Sequence, residues 1–62
     1  MWKKINKRTW IKDSGEIISN ESYARRGLIH KHIYLYLNQF DFDKGMLYKD
    51  FKTVNAAKKY IA

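Results

Sequence analysis

Four residues that alternate along one segment, His30, His32, Tyr34 and Tyr36, are the strongest candidates for binding chemistry in this sequence. Successive side chains of a β-strand point to opposite faces, so this spacing places all four on one face. Phenol rings stack on nucleobases, with a gain of roughly 1–3 kcal/mol per base, and imidazoles gain charge near a phosphate. The same stripe also fits cross-strand pairs that stabilise an exposed sheet, or a protein interface, where tyrosine is enriched.

Positively charged side chains are the second candidate group. The 62-residue chain has 13 Lys and Arg against six Asp and Glu, and its net charge of +7 favours polyanionic partners. As phosphate contacts, these cations would make binding salt-dependent. A solvated surface that keeps a small protein soluble is the competing interpretation. The candidates are Lys3, Lys4, Lys7, Arg8, Lys12, Arg25, Arg26 and Lys31, and all but one of these eight precede Ile29.

Metal binding and catalysis have little support in the sequence. His30 and His32 have a spacing that lets two strand residues share a metal ion, but the chain has no cysteine. A third ligand would have to come from Asp41 or Asp43. No nucleophile-elbow, phosphate-loop or paired-carboxylate pattern occurs, and so short a chain has little room for an enclosed pocket. We therefore predict a binding protein with no metal and no cofactor rather than an enzyme.

The elements that position these residues follow from periodicity and turn residues. Thr9 to Lys12 and Glu16 to Ser19 are predicted strands around a turn at Gly15, and Met46 to Phe51 is a predicted strand after a turn at Gly45. Residues 1–8 are either a basic arm or the start of the first strand. We predict a loop from Asn20 to Gly27.

The segment Ile29 to Asn38 is the clearest predicted strand, because apolar and polar side chains alternate along it. Its second face, opposite the His and Tyr stripe, carries Ile29, Ile33, Leu35 and Leu37. After Thr53, a plausible N-cap, residues 54–61 have the spacing of a short helix. Two helical turns are unstable alone, so this helix must pack on the apolar face of the sheet. The predicted fold is one α+β domain over residues 1–62, with a three- or four-stranded antiparallel sheet and one short C-terminal helix on one face.

Residues 33–62 resemble AP2/ERF DNA-binding domains and the N-terminal arm-binding domains of phage and transposon integrases. The likeness rests on Phe51-Lys52-Thr53 and Ala56-Ala57, an ending also found in small phage proteins. It implies a three-stranded sheet packed on a C-terminal helix, with the opposite sheet face entering the DNA major groove. Here that face would carry the His and Tyr stripe together with Arg8, Trp10 and Lys12. The third strand departs from those families, which place arginines on the reading face.

These observations predict a small basic nucleic-acid-binding protein, with DNA as the expected partner, from a phage or mobile element and acting in the cytoplasm. The alternative is a small phage-type inhibitor or adaptor that docks on an acidic host protein, in defence evasion or host takeover. A homodimer that pairs edge strands is a third interpretation. Residues 1–12 are charged and carry no apolar stretch, so we expect neither a secretory signal nor a membrane partner.

Overall fold

The computed structural model describes residues 1–61 and confirms the α+β class. Strands β1, β2, β3, β6 and β7 form one antiparallel sheet in that order, and β4 pairs with β5 in a second, two-stranded sheet. The main sheet thus has five strands rather than three or four, because residues 2–6 form an edge strand. The elements are β1 (Trp2–Asn6), β2 (Thr9–Lys12), β3 (Ile17–Asn20), β4 (Tyr23–Arg25), β5 (Leu28–His30), β6 (Ile33–Tyr36), α1 (Gln39–Lys44), β7 (Lys49–Phe51) and α2 (Val54–Ile61).

Helix α2 packs on one face of the five-stranded sheet, as the sequence predicts. Ile18, Leu35 and Ala57 have no exposed surface, and Ile33 joins them in the core. Half-buried side chains surround this cluster, among them both tryptophans. Leu37 was predicted on the same face, but its side chain is 42% exposed because β6 ends at Tyr36.

Strands β4 and β5, with the turn between them, form a two-stranded arm (residues 23–30) that continues the β3–β6 ladder beyond the sheet. The main ladder ends where Asn20 pairs with Ile33, and the arm ladder begins where Tyr23 pairs with His30. The predicted loop from Asn20 to Gly27 is therefore wrong. The predicted strand from Ile29 to Asn38 is also interrupted at residues 31–32, and Ile29 is 71% exposed rather than part of the core.

The turn of the arm explains why it was missed. Arg26 and Gly27 have φ values of 53° and 77°, and two positive φ angles are the pattern of a type I′ hairpin turn. Such turns match the twist of the flanking strands, but they usually begin with Asn, Asp or Gly. Arginine at the first position gives no sequence signal for the turn.

Helix α1 was not predicted from the sequence, and it partly covers the sheet face opposite α2. Gly45 is not a hairpin turn as predicted; it ends α1 with φ 70°, and its N–H donates to the carbonyls of Asp41 and Phe42. The Asn38 side chain accepts a hydrogen bond from the Asp41 N–H at 2.8 Å and so caps the first turn. The Phe42 ring meets the Tyr36 ring edge-on at 5.1 Å. No helix in residues 1–61 is long and apolar enough to cross a membrane.

Replacing Asn38 by alanine should lower the free energy of unfolding by about 1 kcal/mol, because the first turn of α1 loses its side-chain acceptor. Urea unfolding followed by circular dichroism measures the change. Asn55→Ala is the matched control, since Asn55 is exposed on α2 and alanine favours helix. Equal unfolding midpoints for the two variants would show that the cap does not hold α1 in place.

Candidate functional site

Four aromatic rings form a ladder along the arm and the sheet face opposite α2. The Tyr23 ring lies nearly parallel to the rings of His30 and His32, at centroid distances of 4.9 and 5.7 Å. The His32 ring lies 5.9 Å from Tyr34, and its Nδ1 is 3.2 Å from a carboxylate oxygen of Asp50 on β7. The structure thus brings three members of the predicted stripe together. It adds Tyr23, which sequence reasoning left in a loop.

Tyr36 does not belong to this ladder. Its side chain is only 8% exposed, because Phe42 of α1 covers it, so the prediction that it lies on an exposed face is wrong. Burial raises the pKa of the Tyr36 phenol, and the nearby Glu21 and Tyr34 raise it further. The phenol therefore stays neutral at physiological pH.

The ladder offers ring edges more than ring faces. A nucleobase can stack only on a free face, and the Tyr23 ring is already stacked against two imidazoles. Its hydroxyl, the His30 ring nitrogens and Nε2 of His32 remain available as hydrogen-bonding groups, whereas Nδ1 of His32 is already beside Asp50. The Tyr23 ring therefore has less free face than the predicted stripe would offer, and its polar hydroxyl lies at the ring edge.

Trp10 and Lys12 lie on the α2 side of the sheet, so the prediction that they share a face with the His and Tyr stripe is wrong. Trp10 pairs with Ile18 and packs against the core. The Lys4 ammonium lies 5.3 Å from the centre of the Trp10 ring, and the Lys12 ammonium donates to the Ile61 carbonyl at 2.9 Å. These cations are engaged in holding β1, β2 and α2 together.

Charge is distributed unevenly over the sheet. The strand register places the β1–β2 turn, the arm and the β7–α2 connection at one end of the sheet, here called the arm end, and the β2–β3 turn at the far end. The acids nearest the arm end are both paired, Glu21 with Arg8 at 2.9 Å and Asp50 with His32. Asp13 and Glu16 belong to the β2–β3 turn, and Asp41 and Asp43 to α1. The cations of the arm end are Lys7, Arg8, Arg25, Arg26, Lys31 and Lys52.

The predicted cationic residues therefore fall into two groups. Lys7, Arg8, Arg25, Arg26 and Lys31 lie at the arm end, whereas Lys3 and Lys4 lie along the edge strand β1. Another cation of the arm end, Lys52, was not among the predicted candidates. Only the strand register reveals its position, because it is far from Lys7 in sequence.

A shallow groove of about 380 Å³ opens at the root of the arm, on the same sheet face as the ladder. Its floor contains Thr9 and Ser19, which pair directly across β2 and β3 and are 5% and 1% exposed. Phe42 lines one side of the groove and Glu21 another. The Ser19 hydroxyl and the Arg8 guanidinium both donate to the Glu21 carboxylate. The remaining lining residues are Asn6, Lys7 and Arg8.

In residues 1–61, no group of three or more His, Cys, Asp and Glu side chains lies close enough to hold a metal ion. The carboxylate beside His32 belongs to Asp50 on β7, whereas Asp41 and Asp43 lie on α1. No family model, curated protein or solved structure matches the chain. Its function must therefore be inferred from the fold and the geometry of the site.

Proposed function

We propose that this protein binds duplex DNA, with the arm entering a groove and the arm end of the sheet contacting phosphates. The observation that carries the proposal is the arm itself, a two-stranded ribbon whose tip is exposed and carries Arg25 and Arg26. No acidic residue occurs from residue 22 to residue 40. The major groove of B-form DNA is about 12 Å wide and admits a two-stranded β-ribbon.

The electrostatics of the arm end support this proposal. Within residues 1–61 neither Arg25 nor Arg26 forms an ion pair, so both guanidinium groups are free to bind phosphates or guanine edges. Lys7, Lys31 and Lys52 lie at the same end and would contact the flanking backbone. Because the two acids nearest the arm end are paired and its cations outnumber them, a polyanion would be drawn to this end first.

The ladder has a structural part in this proposal. Stacking of Tyr23 on His30 and His32 stiffens an arm that buries no apolar core of its own. Asp50 fixes the orientation of His32 at the root. A stiff arm loses less conformational entropy on binding than a flexible one.

The resemblance of the Phe51–Ala57 ending to AP2/ERF and integrase arm-binding domains favours the same class of partner, although α1 stands here in place of the turn between the two strands. In those families the sheet face is the reading surface, whereas here the protruding arm would take that role. We extend the proposal to a regulatory role in a phage or mobile element, in the cytoplasm, on the same resemblance.

Fluorescence anisotropy with labelled duplex and single-stranded DNA, at about 50 and 200 mM salt, tests the proposal. We expect micromolar or tighter binding of the duplex at the lower salt. With about four phosphates neutralised, affinity should fall by about two orders of magnitude at the higher salt. No duplex binding at the lower salt, or a clear preference for single strands, would contradict groove entry by the arm. The first of these results would favour an acidic protein as the partner.

A further inference from the structure

The floor of the groove is polar, although the neighbouring buried positions of β3 are apolar. Ile17 lies two residues before Ser19 on the same strand and the same face, and it is completely buried. Thr9 and Ser19 are the two buried polar residues of the described chain, and they lie side by side. Burying a hydroxyl costs free energy unless it is hydrogen-bonded, and Ser19 meets this requirement by donating to Glu21. Polar groups that converge in a concave site are the usual means of orienting a ligand.

The wall of the groove is aromatic. Helix α1 has no fully buried residue, and Phe42 meets the sheet through its edge-on contact with Tyr36. The half-buried Phe42 ring also lines the groove, so a planar ligand would find an apolar surface beside a polar floor. A volume of about 380 Å³ is near the lower limit for small-molecule sites, which suits one nucleotide rather than an extended chain.

The charged groups match the remaining parts of a nucleotide. The Glu21 carboxylate accepts from Ser19 and Arg8 and has acceptor capacity to spare for the amino group of a base. Lys7 and Arg8 stand at the rim, where a phosphate would lie. Glu21 is also only two residues before the arm begins, so DNA held by the arm passes next to the groove.

We infer that the groove holds one unpaired nucleotide of the bound DNA, with its base beside Phe42, its polar edge at Glu21 and the groove floor, and its phosphate at Lys7 and Arg8. This inference rests on the proposed DNA binding. It predicts that the preferred site is a duplex with an unpaired or extruded base rather than a fully paired duplex. The cost of unpairing falls away when the base is already unpaired.

The test compares a fully paired duplex with a duplex of the same length that contains one unpaired 2-aminopurine nucleotide. We expect the unpaired nucleotide to raise the affinity about tenfold, the scale of one base stacked on one aromatic ring. We also expect its fluorescence to rise on binding, because the base leaves the stack of neighbouring bases that quenches it. Phe42→Leu should abolish both effects, whereas Phe40→Leu on the same helix should keep them, because Phe40 is 64% exposed and does not line the groove.

Because Phe42 also packs on Tyr36, Phe42→Leu weakens the packing of α1 as well as changing the groove. A second variant, outside α1, controls for this effect. Thr9→Val removes one hydroxyl from the floor with little change in volume, and it too should reduce the preference for the unpaired duplex. Equal affinity for both duplexes, or the same loss in Phe40→Leu as in Phe42→Leu, would overturn the inference and leave binding by the arm intact. Failure to bind either duplex would overturn the proposed function as well.

Discussion

Replacing Arg25 and Arg26 together by glutamine should weaken duplex binding by about two orders of magnitude at 50 mM salt. Each arginine that contacts a base or phosphate is expected to contribute about 1–3 kcal/mol, and both stand at the exposed tip of the arm without an internal partner. The slope of log affinity against log salt should also become shallower by about two. Glutamine is chosen because its unbranched side chain imposes no more strain than arginine at the positive φ of residue 26.

The control for this change is Lys44→Gln with Lys59→Gln, which removes the same charge from the far part of the molecule. Lys44 ends α1, and Lys59 lies in the last turn of α2, on the helix whose C-terminal carbonyl contacts Lys12. We expect this pair of substitutions to weaken binding only slightly and to change the salt slope less. If both double variants weaken binding equally, then net charge rather than the arm determines affinity.

Local periodicity in the sequence predicted the packing of α2 on the sheet. In the strand, Ile33 and Leu35 alternate with tyrosines, and in the helix Val54, Ala57 and Ile61 have helical spacing. The apolar face of each element can therefore be predicted from that element alone. These two faces meet in the structure because a two-turn helix has no other way to bury its apolar side chains. The contact between α2 and the sheet could therefore be predicted from short segments of sequence, without knowledge of how the strands pair.

The candidate site was harder to predict, because it depends on strand register. The pairing of β2 with β3 decides which residues of β2 share a face with Tyr34. A shift of this pairing by one residue would move every side chain of β2 to the other face of the sheet. The observed register puts Thr9 beside Ser19 on the groove side and turns Trp10 to the core. The sequence could identify His30, His32 and Tyr34 as one stripe, since they lie on one segment. It could not bring in Tyr23, Ser19 or Phe42, which come from other elements.

Two turn signals were also ambiguous at the level of sequence. Asp43-Lys44-Gly45 suits a hairpin, but a glycine in the left-handed region also ends helices, and that is its role after α1. At the tip of the arm, Arg26-Gly27 does form a hairpin turn, but arginine is not a residue that such turns favour, so the sequence did not predict it. In both places the glycine predicts that the chain turns, but it does not indicate whether a helix or a strand precedes the turn.

Leu35→Ala should be among the most damaging single substitutions in the chain. Leu35 has no exposed surface, and it lies on β6 between β3 and β7, in the cluster that α2 covers. Leucine-to-alanine changes at such sites cost about 2–5 kcal/mol, whereas a domain of this size has a total stability of roughly 3–9 kcal/mol. We therefore expect a large fall in the urea midpoint, and a measurable unfolded fraction at 25 °C if the starting stability is at the low end.

Urea unfolding followed by tryptophan fluorescence would measure this loss, because Trp2 and Trp10 pack against the same cluster. Leu28→Ala is the matched control: Leu28 is 65% exposed on the arm, and its replacement should change the free energy of unfolding by no more than about 0.5 kcal/mol. The pair also separates stability from binding, since Leu28 lies beside the proposed DNA-contacting arginines and Leu35 does not. Equal midpoints for the two variants would contradict the assignment of Leu35 to the core, and with it the packing of α2 that leaves the opposite face free for the groove and the ladder.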